Sequence, residues 1–143
     1  MLPILCSGCG SENVSSADLK SPAPKFALID EAFLAYENTQ GVSLGYGQLY
    51  CSTPEEGLNS NPNGYALTST YSGTAYKISA MVSVVDSSGA YYTSGVNTNT
   101  NSNSAISEIV SSKMLNCTFS GQHDIQETST AGWQHGQTSK QYQ

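Results

Sequence analysis

Residues 22–37 read Pro22-Ala23-Pro24-Lys25-Phe26-Ala27-Leu28-Ile29-Asp30-Glu31-Ala32-Phe33-Leu34-Ala35-Tyr36-Glu37. Phe26, Ile29, Phe33 and Tyr36 fall at i, i+3, i+7 and i+10, one face of a 3.6-residue period. Leu28, Ala32 and Ala35 widen that face, and Asp30, Glu31 and Glu37 mark the opposite side. Ser21 can cap the start, Pro22 or Pro24 can occupy the first turn, and Gly41 can stop the run. The spacing predicts an amphipathic helix over about 24–40, which must lie on something apolar.

Beyond it the period changes to two. Tyr46–Cys51 reads as a short strand, and 53–64 as loop. Tyr65–Tyr71 alternates, Ser72-Gly73 reads as a hairpin turn, and Ala75–Val85 places Tyr76, Ile78, Ala80, Val82 and Val84 on one face. Asp86–Gly89 is a turn before a return strand at 90–94, so these pieces predict a three-strand antiparallel meander. The alternating Asn/Thr/Ser tract 95–104 reads as an exposed low-complexity loop. Residues 105–115 suit a helix or a strand, and 115–119 a closing strand. The expected fold is α+β, the helix packed on the antiparallel meander. The expected core is Phe26, Ile29, Phe33, Tyr36, Leu67, Ile78, Ala80, Val82 and Val84. An all-β sandwich with the helix as an appendage is the alternative. Residues 1–20 are expected as a leader or tether, 21–120 as one domain, and 121–143 as a polar tail or edge segment.

Composition narrows the function. Of 143 residues only 16 are charged, the net charge is −6, and all five basic residues are lysines. Without a basic run, neither the counter-ion release behind nucleic-acid binding nor a polybasic membrane contact is available. No apolar run is long enough to span a bilayer as a helix. Domains of this size usually reach about 25% charged residues, whereas this chain has 11% and 53 Ser, Thr, Asn and Gln side chains. That profile, with nine tyrosines, suits an extracellular or cell-surface protein.

Four cysteines carry two further expectations. Cys51 and Cys117 lie in candidate strands and suit a disulfide; closing a loop of roughly 65 residues stabilises by about 4 kcal/mol in the chain-entropy model. The other reading is two free thiols packed as small hydrophobes. Ser7-Gly8-Cys9 fits the end of a lipoprotein signal, but Cys6 stands where leucine is usual. Met1–Leu5 is shorter than the roughly 7–15 residues of a signal's apolar region, so this reading requires a truncated start. Cys6 and Cys9 are therefore expected to pair, carry lipid or link to a neighbouring chain. Their Cys-x-x-Cys spacing lacks the second ligand pair of a zinc site and the preceding strand of a redox site.

No catalytic, metal or cofactor set is recognisable. His123-Asp124 lies in a serine-rich chain, but no Gly-x-Ser-x-Gly elbow is present. Glu55-Glu56 reads as a solvated acidic pair, and Trp133 with His135 as an anchor or a sugar-stacking pair. Sequons occur at Asn13 and Asn116.

The segment 21–41, with its Ala-Pro start and Phe/Leu/Ile…Glu-Ala…Leu-Ala-Tyr run, resembles the exposed half of the long helix in bacterial type IV pilins and pseudopilins. The likeness covers residues 21 to about 119 and lacks that family's N-terminal apolar signature. It implies a helix across a four-stranded sheet, with Cys51–Cys117 in the part of the family's C-terminal disulfide. It also implies a non-enzymatic filament or surface-assembly subunit whose assembly face is Phe26, Ile29, Phe33 and Tyr36. The expected partners are further copies or other surface proteins. The runner-up is a lipid-anchored binding module contacting carbohydrate or protein.

Overall fold

The computed structural model describes residues 25–35, 43–52 and 61–143. Their ten strands are β1 (Phe26–Ala35), β2 (Ser43–Ser52), β3 (Asn63–Thr70), β4 (Ala75–Asp86), β5 (Tyr91–Thr93), β6 (Asn97–Ser102), β7 (Ser104–Ile106), β8 (Val110–Ser111), β9 (Cys117–Gln126) and β10 (Trp133–Tyr142). They form two antiparallel five-stranded sheets. The first is ordered β1-β2-β3-β7 with β8 also on β3, and the second β10-β9-β4-β5 with β6 also on β4. The sheets face each other over one core, in which Leu34, Leu49, Ile78, Val82, Val84, Phe119 and Ile125 are fully buried.

The predicted α+β fold is overturned. Residues 26–35 form strand β1, not a helix, and no helix occurs among the described residues. The cause is a β-bulge. Leu28 pairs with Tyr50, and the next paired residue is Asp30, opposite Leu49, so Ile29 is the extra one. Phe26 and Leu28 before the bulge then share a face with Glu31 and Phe33 after it. One three-residue step inside a period of two imitates helical spacing. Nine pairings with β2 outweigh local propensity. The pilin resemblance and the filament-subunit role fall with the helix, since their architecture requires it. Tyr36, Cys6, Cys9, Glu55, Glu56 and Asn13 lie outside the described residues.

The meander is also corrected. β3 and β4 belong to different sheets, and Tyr71–Thr74 crosses between them. The Thr70 hydroxyl fixes this crossing by donating to the Gly73 carbonyl at 2.7 Å. Gly73 adopts φ +68°, a conformation that glycine takes without strain. The tract 95–104 is not a loop: it contains β6 and begins β7. Asn97 and Asn99 send their side-chain amides to the Ile106 and Ser104 carbonyls of β7, at 2.6 and 2.9 Å. On the opposite side of the sandwich, the Ser139 N–H of β10 donates to Asp30 Oδ2 of β1 at 2.9 Å. Both lateral openings are thus bridged by side chains, which blunts edge-to-edge strand addition. Residues 121–143 contain the rest of β9 and the edge strand β10.

Candidate functional site

Alternation along β1, β2 and β3 sends small or apolar side chains inward and aromatic ones outward. On β2, Gly45, Gly47, Leu49 and Cys51 face the core, so Tyr46, Gln48 and Tyr50 face out. Register places Phe33 opposite Tyr46, Glu31 opposite Gln48, and Leu28 opposite Tyr50. On the other side of β2, Tyr50 faces Tyr65, and Gln48 faces Leu67, itself opposite Ile106.

The result is two aromatic clusters on one outer face. Tyr50 stacks on Tyr65 with centroids 5.0 Å apart and planes 9° apart, and Phe26 meets Tyr65 edge-on at 5.0 Å. At the other end Tyr71 lies 5.1 Å from Tyr46 and 6.4 Å from Phe33. This second cluster is the open one, with Phe33 63% and Tyr71 52% exposed. A shallow depression beside it is lined by Glu31, Tyr46, Gln48, Thr70 and Tyr71.

A hydrogen-bond relay joins the clusters. The Tyr50 hydroxyl donates to Gln48 Oε1 at 3.0 Å, and Gln48 Nε2 donates to Glu31 Oε2 at 2.7 Å. The relay fixes which end of the Gln48 amide faces which neighbour. Tyr71 is held from its backbone, its N–H donating to the Leu44 carbonyl at 3.3 Å. Its phenol is raised above the ordinary range by desolvation, then by Glu31 and Tyr46. The face is therefore a preset, half-wet aromatic surface with an amide–carboxylate pair at its centre.

Under the same strands sits a buried imidazole, the histidine of the His123-Asp124 pair. His123 is fully buried, with Nδ1 3.0 Å from the Thr68 hydroxyl and Nε2 2.8 Å from the Thr138 hydroxyl. A neutral ring has one donor and one acceptor nitrogen, and two hydroxyls satisfy both. The ring fits because Gly47 opposes it: a Cβ there would fall inside the imidazole. Desolvation pushes its pKa down to about 4 despite nearby Asp124 and Asp30. Asp124 points the other way. It accepts from the Ser79 hydroxyl at 3.4 Å and pairs with His135, whose side chain is 71% exposed. The carboxylate occupies the middle, where a nucleophilic triad needs the imidazole.

The expected disulfide is corrected as well. Cys51 and Cys117 are free and buried. They come from opposite sheets to one end of the core, beside Tyr142. Cys117 Sγ donates to the Leu115 carbonyl at 3.7 Å, and Cys51 packs against Gly64 and Tyr142. Each thiol thus has neighbours of its own and behaves as a small hydrophobe. Burial pushes the Cys51 thiol up to about 12 and raises Cys117, so neither supplies a thiolate near neutral pH. Of the expected assembly face, Phe26 and Phe33 lie on the aromatic face, while Ile29 packs against the core at the bulge. Trp133 is exposed on β10. Among the described residues no cluster of three or more His, Cys, Asp or Glu side chains suits a metal.

No protein-family model matches the chain, and neither a curated protein nor a solved structure matches it.

Proposed function

We propose that the protein is a non-catalytic carbohydrate-binding module acting outside the cytoplasm, and that the Phe33–Tyr46–Tyr71 end of the first sheet is its platform. The observation that carries this reading is the open aromatic cluster beside the Gln48–Glu31 pair. The apolar C–H face of a sugar ring packs on aromatic rings, while its hydroxyls need amide, carboxylate and phenol partners nearby. This face supplies both on a rigid sheet. A protein partner is the less suitable occupant, because interface cores are depleted of charged residues and here a carboxylate lies between the clusters. A second copy docked symmetrically by the same surface would take both Glu31 carboxylates out of water in one interface, which is costly. The scarcity of charge supports an extracytoplasmic setting.

An array of immobilised neutral, amino and acidic oligosaccharides tests the reading. Binding of at least one glycan, lost in Tyr71→Ala with unchanged melting temperature, is the expected result. Retention of all glycan binding by that variant would overturn it.

A further inference from the structure

The chemistry of the depression beside Tyr71 narrows the ligand. Glu31 is the one formally charged side chain that the register of the described residues places on this outer face. Gln48 engages Oε2, and a carboxylate has a second acceptor oxygen. The depression that Glu31 lines is also walled by Tyr46 and Tyr71, whose planes are tilted 44° to each other. A carboxylate next to two electron-rich ring faces favours a cation on two counts, ion pairing and cation–π attraction. The whole chain carries a net charge of −6, which repels acidic polymers and attracts basic ones.

We propose that the preferred ligand is an amino sugar chain, and that Glu31 with Tyr46 and Tyr71 forms the subsite that holds its ammonium group. The inference rests on the carbohydrate-binding reading above and gives it a substrate class. Gln48 is a positioning residue in this arrangement: its amide fixes the carboxylate while its carbonyl accepts from Tyr50. The ring of the sugar lies on Phe33 and Tyr71, and the ammonium reaches Glu31. Acetylation removes the charge and two of the ammonium's three N–H donors, so the acetylated sugar keeps the stacking and hydroxyl contacts but not the ion pair.

The experiment compares two probes by calorimetric titration, fully deacetylated and fully acetylated chitin oligosaccharides of equal length. The pH is set so that the free amines are protonated. The wild-type protein should prefer the deacetylated probe about tenfold, a preference that shrinks as salt is raised. Glu31→Gln keeps the side chain's shape but removes the ion pair, so the preference should shrink to about twofold, the remainder that cation–π attraction to Tyr46 and Tyr71 supplies. Tyr71→Ala should lose both. Equal binding of the two probes by the wild type, or an undiminished preference in Glu31→Gln, would overturn the amino-sugar assignment while leaving the platform standing. Failure of the wild type to bind either probe would overturn the assignment. If the glycan array is also blank, the carbohydrate reading falls with it. Tighter binding of a lysine oligopeptide than of the deacetylated probe would replace the sugar by a basic peptide and overturn both.

Discussion

The first sheet turns Phe33, Tyr46 and Tyr71 outward in ring contact with one another, whereas on the second sheet's outer face the exposed Val85 with Tyr91 and the exposed Trp133 stand at opposite ends of the sheet, with Thr98, Thr118, Gln122 and Gln137 between them. Both sheets meet the core with the same kind of residue, so packing does not explain the difference. Apolar side chains scattered in ones and twos among hydroxyls and amides are ordinary protein surface. Rings in contact with one another and left half in water are not, and a cluster of them on a stable sheet marks a surface with something to bind. The contrast assigns recognition to one side of the sandwich and solvation to the other.

The sharpest way to break the contrast is to remove the core on which both faces rest. Gly47→Ala drives a methyl into the His123 ring, and overpacking of this kind costs about 3 kcal/mol or more. Thermal unfolding followed by circular dichroism should show a melting temperature lower by about 10 °C. Both faces should be lost in one transition; a variant as stable as the parent would deny that the sheets meet at this imidazole.

Acid should act on the same point. His123 has a folded pKa of about 4 against 6.5 for the free side chain, so below 6.5 the unfolded chain binds the proton more readily. Its contribution is intact above about pH 6.5 and is lost progressively down to about pH 4, roughly 3 kcal/mol in all. Denaturant midpoints across that range should fall in the wild type. The fall should be shallower by that amount in His123→Gln, which retains a donor and an acceptor. Parallel curves would remove the imidazole from the explanation.

Smaller effects separate the faces. Tyr71→Ala should weaken glycan binding by about tenfold or more, as loss of an aromatic anchor does. Its denaturant stability should stay within about 1 kcal/mol of the parent. Thr98→Ala and Gln122→Ala, on the second face, should move both binding and stability by less than about 0.5 kcal/mol. A second-face variant that lost binding would dissolve the contrast.

How much of this was legible in the sequence follows from where alternation is clean. In β4 the run from Ile78 to Val84 alternates except at the outward Met81, and its inward residues are buried as expected. In β1 the Ile29 bulge hid the strand behind a helical spacing. In β6 the Asn/Thr alternation is itself a strand pattern, but it carries no apolar residue. Its strand state comes from antiparallel pairing with β4, which the polar pattern does not announce, and Asn97 and Asn99 add side-chain bonds to a chain segment in the other sheet. The aromatic face is hidden in the sequence for the related reason that the helical spacing of Phe26 and Phe33 points them at the core. The tyrosines of β2 and β3 join Phe33 in one surface only because β1 is a strand. His123 shares the period-two inward face of Cys117, Phe119, Gly121 and Ile125, but the glycine that makes room for its ring, Gly47, is 76 residues away in the sequence.

The most direct test is backbone amide chemical-shift mapping by NMR during titration with the tightest-binding oligosaccharide from the array. The expected perturbations cluster at Glu31, Phe33, Tyr46, Gln48, Thr70 and Tyr71, with Thr98, Thr118, Gln122 and Gln137 unmoved. Perturbations centred on the second sheet's outer face would contradict the assignment of recognition to the aromatic one.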